Sequence, residues 1–186
     1  VGSIGIQSSG FTIDGESGHG GLRFGGADIS PRDGGADADN AIQLGSSSFR
    51  FDDAFITNGV TTGSDQNEKQ DIASATAKEL NVAKKLSALF KTYKWKDAVA
   101  EKGDKARTHS GIIAQEVQSA FSAEGLDASN YGMFMSDTWW EKDSMIYETK
   151  EEAPKDAIEK TRLGVRYPEL FSFIFSSIEA RLTALE

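Results

Sequence analysis

The chain has no cysteine among its 186 residues. That excludes a disulfide framework and thiolate chemistry, and it suits folding in a reducing cytoplasm. Basic charge is short as well: 20 Lys and Arg stand against 29 Asp and Glu, for a formal charge of −9. Non-specific nucleic-acid binding runs on clustered Lys and Arg, so no nucleic-acid partner is expected. No apolar run approaches the roughly 20 residues that a membrane-spanning helix requires, and no membrane insertion is expected. The apolar fraction, 38%, is low for a self-contained globule, which predicts a core completed in part by other subunits. No metal or cofactor is implied. Val1 stands where an initiator Met would, so a piece of a longer chain is expected.

What is present divides into two halves. Of 19 glycines, 14 lie at or before Gly63, whereas all three tryptophans, Trp95, Trp139 and Trp140, lie after it. The first half reads as short β segments split by Gly-rich turns, at Gly5-Ile6, Gly10–Ile13, Gly21–Phe24, Ala41–Leu44 and Ser48–Phe51. The alternation Leu22/Phe24 and Phe49/Phe51 is the period-2 signal of half-buried strands. Strands this short do not make a stable sheet alone; three chains covering one another's apolar edges would.

From residue 71 the period becomes helical. Ile72, Thr76, Leu80, Ala83, Leu86 and Phe90 recur every three or four residues, predicting one apolar stripe. Thr92–Trp95 reads as a strand, and Ser110 or Gly111 as the start of a helix through Ile113, Val117, Ala120 and Phe121. Residues 123–165 carry no clear period, and the acidic run from Glu148 to Lys160 reads as an exposed loop or short helix. Pro168 suits the first turn of a final helix, where its missing N–H costs nothing. Phe171, Phe175, Ile178, Leu182 and Leu185 then follow at spacings of 4, 3, 4 and 3, an a/d seam that predicts self-association, with Leu170 and Ile174 widening it.

At the change of composition lies Ser64-Asp65-Gln66-Asn67-Glu68-Lys69-Gln70-Asp71-Ile72. Spacing alone supports a polar turn with Asp65 as a helix cap as readily as a Ser-Lys pair. The surroundings add to it. Ser64, Asp65, Lys69 and Ile72, then Leu89–Trp95 with Lys96, then Gly111-Ile112-Ile113-Ala114-Gln115-Glu116-Val117 after His109-Ser110, and last Tyr167 with its helix, occur in order. Together they resemble the intramolecular chaperone domains of phage tail fibres, tail spikes and endosialidases, the self-cleaving S74 peptidase family. The resemblance runs over residues 64–186, with one departure: the family's Arg-Leu before the lysine is Asn67-Glu68 here.

The resemblance implies an α+β architecture: an intertwined trimeric β fibre segment over residues 1–63, then a mixed α/β chaperone domain over 64–186 ending in a trimeric coiled-coil helix, 168–186. It implies a homotrimer whose folding client is the fibre body of the same chain. It also implies single-turnover autoproteolysis at Ser64–Asp65, with Ser64 as nucleophile and Lys69 as base. Glu68, His109, Gln115 and Glu116 are candidate supporting residues, and Phe171, Phe175, Ile178, Leu182 and Leu185 the trimer interface. A virion tail fibre or spike is the expected location, with folding in the host cytoplasm, loss of the chaperone from the mature particle, and a host glycan or receptor bound by the mature fibre.

A serine hydroxyl is a poor nucleophile until a base takes its proton, and a neutral lysine can do so. Free lysine titrates near 10.4, so a lysine working as a base near neutral pH must be desolvated or set beside positive charge. Five extended residues span roughly 17 Å, so Ser64 and Lys69 must meet across a turn or pair between chains. Attack by Ser64 on its own carbonyl would close a four-membered ring; attack on the Gly63 carbonyl closes a five-membered one and cuts before the serine. A water-mediated or inter-chain attack restores the first cut, and both remain open. The alternative function is a non-cleaving trimerisation tip or a glycan-binding tip, the latter using residues 1–63 and Tyr131–Trp140. No pair of carboxylates singles itself out for glycosidic chemistry.

Overall fold

The computed structural model describes residues 2–7 and 9–185. It divides into two compact units, residues 1–55 and 56–186, which part upstream of the composition change at Gly63.

The first unit is an antiparallel meander of five strands in sequence order: β1 (Ser3–Gln7), β2 (Gly10–Asp14), β3 (Gly20–Phe24), β4 (Ile29–Asp33) and β5 (Ala36–Asp37). Gly34 and Gly35 close the last hairpin with φ of +55° and +85°, the pair of positive values that a two-residue I′ turn demands. The register sets Ile4 opposite Ile13, Ile6 opposite Phe11, Phe11 opposite Phe24 and Leu22 opposite Pro31, so these side chains share one face. In the single chain that face is open: Ile6 is 82% exposed. The opposite face is polar and covered. There Arg32, 1% exposed, donates from Nε to Asp14 at 2.5 Å and from Nη1 to Asp37 at 2.8 Å, and from Nη2 to the Gly35 carbonyl. A buried guanidinium is tolerable because its donors meet carboxylates and a carbonyl. Ala41–Leu44 and Ser48–Phe51, expected as strands, form none. Gly45 turns at φ +84° and the Ser46 N–H bonds the Phe49 carbonyl at 2.7 Å, which draws the backbone into a turn instead of a ladder.

The second unit is α+β. Its elements are α1 (Ala77–Leu86), β6 (Lys91–Tyr93), α2 (Lys96–Lys102), β7 (His109–Gly111), α3 (Ala114–Ser122), β8 (Phe134–Lys142), β9 (Met145–Tyr147), β10 (Ile158–Val165) and α4 (Tyr167–Thr183). Strands β6 and β7 pair antiparallel, and β8 lies between β10 and β9 in a three-stranded antiparallel sheet. One core joins Val82 and Leu86 of α1, Ile112, Val117 and Phe121 around α3, Met133, Phe134, and Leu170 and Ile174 of α4.

Several boundaries differ from those expected. α1 starts at Ala77, because Thr76 caps it: Thr76 Oγ1 accepts from the Glu79 N–H and Glu79 returns a bond to the Thr76 N–H, a capping box. Ile72 therefore lies outside the helix and exposed, and Phe90 lies beyond the turn that ends it. His109–Gly111 is a strand, and the following helix opens at Ala114. Trp95 is the N-cap of α2, a helix with no counterpart in the sequence reading. Residues 123–165 hold the three-stranded sheet; the acidic run is an exposed turn whose end, Ile158–Lys160, enters β10.

Candidate active site at Ser64 and Lys69

Ser64 and Lys69 come together across one short 3-10 turn, Gln66–Glu68. Asp65 caps the turn: its Oδ1 accepts from the Asn67 backbone N–H and from Asn67 Nδ2, each at 2.9 Å. The turn closes by Glu68 N to Asp65 O at 3.3 Å and Lys69 N to Gln66 O at 3.1 Å. This fold-back shortens the path from residue 64 to 69 enough for the lysine to reach the serine. Lys69 Nζ stands 2.8 Å from Ser64 Oγ and 3.3 Å from the Ser64 carbonyl oxygen. One amine thus contacts both the hydroxyl and the carbonyl of the same residue. Both readings of this stretch, cap and Ser-Lys contact, hold at once.

Ser64, Asp65, Glu68 and Lys69 are all exposed in the single chain. Glu68 places a carboxylate oxygen near Gly63, 3.5 Å from where a β-carbon there would sit. The other candidate supporting residues make their contacts elsewhere. His109 stacks on Tyr93 at 5.8 Å between ring centroids and meets Trp95 edge-on at 6.2 Å. Gln115 lies exposed in the first turn of α3, its carbonyl accepting from Ser119 Oγ at 2.9 Å. Glu116 pairs through Oε1 with Lys91, while its buried Oε2 has no hydrogen-bond partner.

On α4, Leu170, Ile174 and Ser177 face the unit's own core. Phe171, Phe175, Ile178 and Leu182 point out, Phe175 at 62% exposure, and Leu185 lies exposed beyond Thr183, where the helix expected over 168–186 ends. Leu170 and Ile174 are therefore taken up by the unit's own core, on the face adjoining the seam they were expected to widen. Phe90 adds to that seam, stacking on Phe171 at 6.0 Å between centroids; nothing in its spacing from α1 revealed this. Trp139 is 8% exposed beneath the Arg162 guanidinium, 5.1 Å from its ring centre, with Nε1 donating to Glu141 at 2.7 Å. A ring so covered offers no face to a sugar.

An exposed serine within hydrogen-bond reach of a lysine thus stands at the start of an α+β module. The profile of the chaperone-of-endosialidase family, peptidase S74, matches residues 64–126. A probable tail spike protein of Klebsiella phage 0507-KN2-1 is 36% identical over 170 residues, covering 79% of this chain and 14% of that protein. Among solved structures, a novel intramolecular chaperone superposes with a TM-score of 0.53 at 32% identity, over 64% of this chain and 98% of that one. The carboxy-terminal domain of the bacteriophage T5 L-shaped tail fibre with its intramolecular chaperone domain gives a TM-score of 0.64 at 23% identity, over 100% of this chain and 52% of that one. This chain belongs to the chaperone-of-endosialidase family, and carries an intramolecular chaperone domain of the phage tail fibre and tail spike type. It spans between 10% and 16% of the length of the curated relatives it matches.

Proposed function

We propose that residues 64–186 trimerise, hold three copies of the preceding β segment in register while it folds, and then detach by self-cleavage at Ser64. The observation that carries the cleavage is the position of Lys69 Nζ, within hydrogen-bond reach of both Ser64 Oγ and Ser64 O. A neutral amine has one lone pair and two N–H groups. It can accept the hydroxyl proton and donate to the carbonyl at the same time.

Two balanced routes use this arrangement. In the first, Ser64 Oγ attacks the Gly63 carbonyl carbon as Lys69 takes its proton. The C–N bond to Ser64 breaks, the lysine returns the proton to the departing amine, and water hydrolyses the resulting ester. In the second, water passes a proton through Ser64 Oγ to Lys69 and attacks the Ser64 carbonyl, whose oxygen the lysine's N–H polarises; the Asp65 amine leaves with the proton. The second produces the cut after the serine that the family resemblance implies. The pair is open to water in the single chain, and further copies packed against it would thin the bulk solvent and strengthen its interactions, leaving room for the one water that each route consumes.

Trimerisation is supported by two unpartnered apolar surfaces of suitable kind. The 4-3-4-3 stripe on α4 is a seam for parallel helices, and the apolar face of β1–β4 matches what an intertwined fibre would bury. Assembly through α4 would convert a three-body search by slow, non-local β pairing into an intramolecular one. Cutting afterwards would make the mature fibre's stability kinetic. A virion tail location and recognition of a host glycan or receptor belong to the whole fibre on this reading.

The test is intact-mass analysis and denaturing electrophoresis of the chain and of its Ser64→Ala and Lys69→Ala variants, with sizing chromatography. Two fragments meeting at Ser64 from the parent, and whole variants, are expected, and the mass fixes the bond cut. Three uncut trimers would leave a trimerisation tip without proteolysis.

A further inference from the structure

The Ser64–Lys69 contact depends on a feature that the catalytic reading does not use. Nothing but the Gln66–Glu68 turn brings residue 69 back to residue 64, and that turn is three residues long and wholly exposed. A single 3-10 turn has poor intrinsic stability, and no buried side chain anchors this one. What holds it is one carboxylate oxygen. Asp65 Oδ1 takes the Asn67 backbone N–H and the Asn67 side-chain amide, both at 2.9 Å. The two Asn67 donors converge on a single acceptor, beside the two long backbone closures, Glu68 N to Asp65 O at 3.3 Å and Lys69 N to Gln66 O at 3.1 Å. Asn67 also stands where this chain departs from the Arg-Leu of its family's pattern, and its short amide bonds the cap carboxylate two residues back.

We propose that Asp65 and Asn67 are positioning residues for the Ser64–Lys69 pair, acting through the turn rather than on the reacting atoms. The inference rests on the proposed self-cleavage, and it makes the pair a product of one chain. Asp65 acts here as a hydrogen-bond acceptor, not as a charge or a proton carrier. Its amide analogue should therefore keep most of what its removal loses.

The test compares first-order self-cleavage rates of the full chain with those of Asn67→Ala, Asp65→Ala, Asp65→Asn and the Asn67→Ala/Asp65→Ala double variant, each checked for assembly by sizing chromatography. Loss of one net hydrogen bond predicts a slowing of roughly 2- to 10-fold for Asn67→Ala, and loss of both a larger slowing for Asp65→Ala. The double variant should be no slower than Asp65→Ala, since both remove the same clamp. Asp65→Asn should recover most of the rate that Asp65→Ala loses. Parent-like rates for Asn67→Ala and Asp65→Ala, or no recovery by Asp65→Asn, overturn the positioning role while leaving self-cleavage intact. A separate readout needs no cleavage: in a Ser64→Ala background, NMR solvent exchange of the Asn67, Glu68 and Lys69 amides should quicken on Asp65→Ala. Unchanged exchange overturns the inference whether or not the parent cuts itself.

Discussion

Tyr167 Oη occupies the space that a β-carbon on Gly111 would need, and the same oxygen accepts the Ile112 N–H at 3.2 Å. The first residue of the Gly-Ile-Ile-Ala-Gln-Glu-Val block and the tyrosine that opens α4 are thus one contact. Tyr167 is held in place by its tilted stacking on Phe171, 5.6 Å between centroids, so its ring has little room to retreat.

Gly111→Ala is accordingly expected to destabilise the chaperone unit by about 1–3 kcal/mol through overpacking. Tyr167→Phe leaves the Ile112 N–H without its partner, at about 1–3 kcal/mol. The double variant should cost less than the sum, because removing the hydroxyl opens the space the new methyl needs. Urea denaturation of the four proteins in a Ser64→Ala background measures the coupling; strict additivity would show that the two residues do not oppose each other.

The distance of 2.8 Å between Lys69 Nζ and Ser64 Oγ is closed within one chain by the three-residue turn Gln66–Glu68. Differently tagged Ser64→Ala and Lys69→Ala chains, co-expressed so that they form mixed assemblies, should therefore stay whole, since no chain holds both groups. Fragments from such mixtures would place the working lysine on a neighbouring copy and sink the intra-chain pairing.

How much of this was legible in the sequence follows from where the information lies. Ala83, Leu86, Val117, Ala120 and Phe121 sit at the expected helical spacing and are buried on α1 and α3, so those helices could be read, though not their starts, and Val82, off the expected stripe, is buried as well. Thr76 and Glu79 carry a capping signature that fixes the start of α1 after Ile72. The sheet of β8, β9 and β10 was illegible for a physical reason. Its pairing joins Trp140 to Glu159, Trp139 to Lys160 and Thr138 to Thr161, and β10 exposes its first four residues. Backbone ladders and a Thr–Thr hydrogen bond of 3.0 Å hold it without an alternating apolar face. At Ser64 the motif pointed to the two side chains that the turn brings within 2.8 Å, whereas the Asn67 amide bond to Asp65 is a matter of geometry that spacing does not encode.

The two sides of α4 should respond differently to substitution. Leu170 is fully buried in the unit's own core, and Leu170→Ala should cost about 2–5 kcal/mol of stability whatever the oligomeric state. Phe175 and Leu182 face solvent. Phe175→Glu and Leu182→Glu should leave the helical content intact while shifting the assembly towards monomer in analytical ultracentrifugation. A Phe175→Glu protein that still sediments as the parent does would remove α4 from the interface.

Glu79 ties acid stability to the cap of α1. Its Oε2 accepts the Thr76 N–H at 2.6 Å and the Thr76 hydroxyl at 2.7 Å, and its Oε1 accepts the Tyr131 hydroxyl at 3.0 Å. Donation by the Thr76 hydroxyl, then by the Thr76 backbone, and last by Tyr131, holds the carboxyl below its ordinary value against the opposing effect of burial. A carboxyl that gives up its proton more readily in the folded chain than in the unfolded one adds stability above its unfolded value, near 4.3, and that contribution disappears as pH falls through the lowered folded value. Burial first, and then its bond to Glu79, hold the Tyr131 phenol above its usual range, so the tyrosine's own contribution is present below about pH 10 and lost only on the alkaline side. Between those limits the network is complete. Glu79→Gln keeps a side chain able to close the capping box but has no carboxylate to titrate. Melting temperatures of Glu79→Gln and its parent should differ most near neutral pH and converge as pH drops from about 5 towards 3. A gap that stays constant over that range would mean the ionised carboxylate contributes nothing beyond the shape of the cap.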